Sequence, residues 1–229
     1  MTKKSSSKTK NKKFKLFTAT SITLVTTAVA VAQLPALAEQ ENPFTDVKPG
    51  YSHYEGIVSL YNEGIVAGIT STTFKPNQNA TRGETAQFIA NALKLDTTNV
   101  TNPGFKDVPK GHKYYGAIAA LYERGIIGGY GDEFKPNNLL TRSQIAKMLT
   151  LSFDLNLAGS AKTKFTDVNK LSDTNTKLYI QTLVDYSITT GTTPTTFSPN
   201  GNLTRGQLAT FLYRSMNQTG DSFEIIGIE

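Results

Sequence analysis

The chain reads Phe44-Thr45-Asp46-Val47, then Phe105-Lys106-Asp107-Val108, then Phe165-Thr166-Asp167-Val168, one pattern at spacings of 61 and 60 residues. The match extends outward from it. Ile57-x-x-Leu60-x-x-x-Gly64-Ile65 returns as Ile118-x-x-Leu121-x-x-x-Gly125-Ile126 and, with serine in the glycine's place, as Ile180-x-x-Leu183-x-x-x-Ser187-Ile188. Gly68, Gly129 and Gly191 follow, then Phe74-x-Pro76-Asn77, Phe134-x-Pro136-Asn137 and Phe197-x-Pro199-Asn200. Thr81-Arg82-Gly83-Glu84, Thr141-Arg142-Ser143-Gln144 and Thr204-Arg205-Gly206-Gln207 close each copy. Five features held in one register three times mean one structural unit written three times.

Within a unit the hydrophobic period is helical twice. Ile57, Val58, Leu60 and Tyr61, like Ile118, Ala119, Leu121 and Tyr122, predict an amphipathic first helix that stops at Gly64 or Gly125. A second helix starts at the Thr-Arg pair, and between the two lies a Gly/Thr/Pro/Asn connector anchored by one Phe. Two short helices cannot bury a stable core alone. The expected fold is therefore all-α, three two-helix repeats packed as a pseudo-trimeric bundle, with apolar stripes turned to a shared axis. The repeats are placed at 39–101, 102–161 and 162–216, with polar linkers at 96–104 and 156–164 and a short C-terminal tail at 217–229.

Charge isolates the N-terminus. Of 24 Lys and Arg, seven fall in the first fifteen residues, and the first acid is Glu39; the other 17 face 18 acids, a net charge of −1. Residues 16–38 are apolar or weakly polar, uncharged, and end in Pro35-Ala36-Leu37-Ala38. A basic head, a hydrophobic middle and a small-x-small end predict a signal peptide at 1–38, cleaved after Ala38. An uncleaved membrane anchor is the alternative, disfavoured by Pro35 and the threonines within the stretch. Export followed by cleavage leaves a secreted chain with no overall cationic field, which removes the electrostatic case for nucleic acid and leaves no membrane span. The absence of Cys excludes disulfide scaffolds, Cys-ligated zinc, iron–sulfur clusters and thiol catalysis.

Thr81, Thr141 and Thr204 read as N-caps, and Glu84, Gln144 and Gln207 as the reciprocal half of a capping box. The arginines are different, because a cation at the first turn opposes the helix dipole. Arg82, Arg142 and Arg205 each need a partner. It is either a carboxylate of a neighbouring unit, from Asp46, Asp107 or Asp167, or an external anion meeting both the guanidinium and the free N–H groups of the helix start.

The Phe-x-Asp-Val, Ile-x-x-Leu-x-x-x-Gly-Ile, Phe-x-Pro and Thr-Arg-x-Glu motifs together resemble the S-layer homology family, whose units normally come in threes. The resemblance covers residues 44–216. It implies first helices gathered in a central bundle and grooves between units that bind a secondary cell-wall polysaccharide, often through N-acetylmannosamine bearing a pyruvate ketal. It further implies that Arg82, Arg142 and Arg205 point outward, each toward one ketal carboxylate. Site residues implied with them are Glu84, Asp46, Asp107, Gly68, Gly129, and Tyr54 and Tyr115 in place of the family's tryptophan. The third unit departs most, with two extra residues after Asp167 and Ser187 for glycine.

The function expected is non-covalent attachment to the bacterial cell wall, with surface-layer proteins as further partners, no catalytic residue, no metal and no cofactor. Two other classes stay open. A wall-active glycoside hydrolase would need two acids with separated pKa values in one cleft, whereas the strongest candidates recur symmetrically. His53 and His112 occupy unmatched positions, which leaves little for a His-based site. A protein-interaction or self-assembly module of the cell surface would share the fold and differ in ligand.

Overall fold

A computed structural model describes residues 41–218. The signal-peptide reading of 1–38 and nearly all of the tail lie outside the described residues. The elements are α1 (Tyr54–Asn62), α2 (Arg82–Ala92), α3 (Tyr115–Glu123), α4 (Arg142–Ser152), α5 (Thr166–Asn169), α6 (Thr174–Asp185) and α7 (Arg205–Gln218). The described residues contain helices and isolated bridges but no extended strand. Unit 1 supplies α1 and α2, unit 2 supplies α3 and α4, and unit 3 supplies α6 and α7 together with the one-turn α5. None of these helices is long and apolar enough to cross a membrane.

The helix starts and stops follow from the residues predicted to set them. Thr81 and Thr141 are extended, and their hydroxyls accept the N–H groups of Glu84 and Gln144. Past the first helices the chain turns through the left-handed region, with φ of 72° at Gly64 and 68° at Gly125. Ser187 takes the same conformation at φ 55° with a side chain that disfavours it. Ser187→Gly is expected to raise stability by about 0.5–1 kcal/mol. In a melt this is an increase of about 1–4 °C in Tm, and an unchanged or lower Tm would contradict the reading.

The three units close into a ring. The strongest helix packing sets α2 on α3, α4 on α6 and α7 on α1, always a second helix on the first helix of the next unit. These seams hold the pseudo-trimeric bundle. The axis is marked by a closed triangle of backbone hydrogen bonds. Ala80 donates to Leu203, Leu203 to Leu140 and Leu140 to Ala80, each at 2.9 Å. All three residues are fully buried, so each amide that leaves water finds its partner in another unit. Around them, Phe74, Phe134, Phe197, Ile57, Ile118, Leu121 and Ile145 fill one continuous core.

Candidate functional site

Each of the three recurrent aspartates holds the Phe-x-Pro turn of its own unit. Asp46 accepts the N–H groups of Phe74 at 2.9 Å and Lys75 at 2.7 Å. Asp107 does the same for Phe134 at 2.8 Å and Lys135 at 2.7 Å, and Asp167 for Phe197 at 3.0 Å and Ser198 at 2.7 Å. The turn needs this clamp because Lys75, Lys135 and Ser198 have φ of 56°, 62° and 60°. Burial pulls the Asp167 carboxyl upward, but the amides of Phe197 and Ser198 outweigh it and hold the group below its ordinary range.

The glycines before these turns leave space for a ring. A Cβ on Gly68, Gly129 or Gly191 would lie 2.6, 2.3 or 2.4 Å from Cε1 of Phe44, Phe105 or Phe165. Those phenylalanines in turn pack on Phe74, Phe134 and Phe197, with ring centroids 5.4–5.7 Å apart. Gly68 and Gly129 thus serve packing inside the unit.

The turn so fixed receives the arginine of the preceding unit. The Arg82 guanidinium lies 4.4 Å over the Phe134 ring, Arg142 lies 4.6 Å over Phe197, and Arg205 lies 4.4 Å over Phe74. The same phenylalanines accept each Nε–H through their carbonyls, at 3.0, 2.7 and 2.8 Å. Arg82 adds an Nη2 bond to the Gly128 carbonyl at 3.0 Å, and Arg205 one to Ala67 at 2.7 Å. Nη2 of Arg142 is buried with no partner.

The arginines therefore do not point outward; at 7, 4 and 1 % exposure they are among the most buried polar side chains. Nor does any of them pair with a recurrent aspartate. The helix starts are not free either. The Arg82 and Gly83 amides donate to Asn138 and Pro136, those of Arg142 and Ser143 to Gly201 and Pro199, and those of Arg205 and Gly206 to Gln78 and Pro76. A cation at the first turn is tolerated because the neighbouring unit brings carbonyls and an aromatic face to it.

The three junctions differ in charge. Glu84 forms an ion pair with Arg205, joining unit 1 to unit 3. It does not complete the capping box on Thr81. The neutral Gln144 and Gln207 do so, accepting the Thr141 and Thr204 amides at 3.0 and 3.2 Å. Arg82 and Arg142 have no ion-pair partner among the described residues. Burial pushes all three guanidinium groups down, Arg205 to about 10, while Asp107, Asp167 and Asp46 act in the opposite direction on Arg82, Arg142 and Arg205. All three stay cationic at neutral pH.

Aromatic rings seal the same junctions. A Cβ on Gly83 would meet Cδ2 of Tyr114 at 2.3 Å, and one on Gly206 would meet Cδ2 of His53 at 2.8 Å. That is why glycine follows Arg82 and Arg205. Ser143 keeps its Cβ opposite the third unit, whose counterpart of these rings in register is Thr176.

Burial and then the Arg214 charge lower the His53 pKa, and its Nδ1 contacts Thr210 Oγ1 at 2.7 Å with Tyr51 edge-on. A depressed pKa means that the neutral ring stabilises the fold above the ordinary value of 6.5 and that this stability is lost as pH falls through the lowered value. His53→Tyr, the ring present in unit 2, is expected to flatten the dependence of stability on pH below about 6.5. Urea melts with equal slopes for both proteins would contradict this.

Tyr54 and Tyr115 open α1 and α3 but lie half-buried against the core, with the Tyr115 hydroxyl enclosed and unpartnered. Sequence reasoning missed Tyr130, which is 49 % exposed. Its signal was a lone aromatic in a Gly-rich loop, aligned with Ile69 and Thr192. Among the described residues no cluster of His, Asp and Glu could hold a metal ion.

The S-layer homology domain family matches residues 43–86, 104–146 and 164–209. The Surface-layer 125 kDa protein of Lysinibacillus sphaericus is 32 % identical over 96 % of this chain and 18 % of its own length. The S-layer protein of Bacillus thuringiensis subsp. finitimus is 30 % identical over 86 % of this chain and 24 % of its own. An amylopullulanase of Thermoanaerobacterium thermosulfurigenes is 30 % identical over 89 % of this chain but 11 % of its own length. The chain thus spans less than a quarter of these three relatives. The three matched segments contain the three Asp-held turns and the three ring-stacked arginines in order, and the chain belongs to the S-layer homology domain family.

Proposed function

We propose that this protein attaches non-covalently to the bacterial cell surface by binding an anionic secondary cell-wall polysaccharide at the junctions between its units. The observation that carries the reading is the charge at two of them. Arg82 and Arg142 are buried cations bonded to carbonyls and stacked on aromatic rings, with Asp107 and Asp167 acting on them only through space and no carboxylate in direct contact, and one nitrogen of Arg142 has no acceptor. A carboxylate approaching such a junction meets a poorly screened positive charge. A pyruvate ketal on N-acetylmannosamine, the substituent that the family resemblance implies, supplies that carboxylate. At the third junction the chain's own Glu84 occupies this role, so Arg205 and Glu84 close the ring. Asp46, Asp107, Gly68 and Gly129 shape the turns, and Tyr54 and Tyr115 support them from the core.

Family membership and the surface-layer names of the relatives support attachment over catalysis. Asp46, Asp107 and Asp167 are each spent on two backbone amides, so the recurrent acids are committed to the turns rather than offered as a catalytic pair. The test is sedimentation with wall sacculi before and after removal of their acidic polymer. Retention on intact sacculi and release from stripped ones is expected; equal retention on both would overturn the proposal, and clearing of stripped sacculi would indicate a hydrolase.

A further inference from the structure

Tyr130 is a large aromatic ring left half in solvent beside the contact between Arg82 and Phe134. It follows Gly129 on a tight turn that pairs Tyr130 with Glu133, so its backbone is fixed. Its hydroxyl accepts from Nε2 of Gln144 at 2.7 Å, and the Arg82 guanidinium lies 5.0 Å from its centroid, opposite the 4.4 Å contact with Phe134. Lys135 Nζ stands 5.5 Å from the same ring. A tyrosine whose hydroxyl is held by Gln144 and whose ring is approached by Arg82 and Lys135, yet stays half exposed, loses little conformational freedom when a ligand covers its open part.

Past Glu133 and Lys135, which both neighbour Tyr130, opens a cleft of about 370 Å³ lined by these two residues with Asp107, Pro136, Asn137 and Asn138. That size suits one or two sugar rings. Amide, carboxylate and ammonium groups around such a space match the hydroxyl and acetamido groups of a pyranose. The corresponding positions after Gly68 and Gly191 are Ile69 and Thr192, so unit 2 alone presents a ring there.

We propose that Tyr130 is a sugar-stacking platform, with Lys135, Asn137 and Asn138 as the polar wall of the same subsite, and that this makes the junction of units 1 and 2 the principal sugar-reading junction. The inference rests on the polysaccharide reading above and names where a ring of that polymer sits.

The chain contains no tryptophan, so a single introduced indole reports its own surroundings. Tyr130→Trp, Ile69→Trp and Thr192→Trp are titrated with N-acetylmannosamine carrying a pyruvate ketal and with the unmodified sugar. A saturable emission change in the Tyr130→Trp protein alone is expected, with no change in the other two. Tyr130→Ala, exposed enough to leave the fold intact, is expected to weaken binding to intact sacculi by roughly three- to tenfold. No response from Tyr130→Trp together with full sacculus binding by Tyr130→Ala would overturn the platform and leave wall attachment standing. Equal responses at all three positions would overturn the preference for this junction. Failure of the unaltered protein to bind sacculi would remove both readings.

Discussion

Arg205→Ala is expected to cost about 3–5 kcal/mol of folding stability, the scale for losing one partner of a buried ion pair. The change strips the Phe74 and Ala67 carbonyls of their donors, leaves Glu84 without its cation and uncovers the Phe74 face. It also cuts the seam between α7 and α1, where units 1 and 3 are distant in sequence and meet only through the fold. Arg205→Lys should recover a minority of the loss, since an ammonium cannot donate to two carbonyls and a carboxylate in the guanidinium's planar geometry. Urea midpoints followed by far-UV circular dichroism measure it. A loss below about 0.5 kcal/mol, the range of ordinary surface substitutions, would show that the ring does not depend on this clasp. The same burial means that Arg82→Ala and Arg142→Ala destabilise the fold, so helix content has to be verified before any loss of wall retention is credited to lost ligand contact.

The second large effect concerns Asp107 and Arg82, which lie in different units and share no direct bond. Asp107 holds the Phe134 turn through two charge-assisted bonds, and the Phe134 carbonyl and ring then receive Arg82. Asp107→Asn retains the shape but loses the charge and replaces one of the two acceptor oxygens by an NH2 donor set against a backbone N–H; about 2–3 kcal/mol should be lost. If the turn transmits the effect, the cost of Arg82→Lys shrinks once Asp107 is replaced. A double-mutant cycle should give a coupling of about 1 kcal/mol or more. Strict additivity would mean that turn and junction are independent.

The sequence carried the local structure further than the long-range structure. Thr81, Thr141 and Gly64, Gly125 marked helix starts and ends because capping and left-handed turns depend on neighbours within a few residues. The three-fold register likewise implied units that pack on one another. What it could not give was the destination of each arginine. The acceptors of Arg82, Arg142 and Arg205 lie 52, 55 and 131 positions away, in a unit whose placement only the closed ring defines. Glu84 had two satisfactory partners in principle, and the buried cation won over the local amide because it leaves the greater desolvation cost if unpaired. The resemblance implies Tyr54 and Tyr115 as site residues in place of a tryptophan. Helix rotation instead set them against the core, and the exposed ring emerged from an irregular loop that no periodicity flags.

Binding of the soluble wall polysaccharide in its pyruvylated and depyruvylated forms, compared by calorimetric titration of the same protein, addresses the central claim most directly. Guanidinium groups without a direct carboxylate partner at two junctions predict that removing the ketal carboxylates weakens binding by about tenfold or more, the scale of a charge-assisted contact, and that added salt narrows the difference. Equal affinity for the two forms, at low and high salt alike, would contradict it.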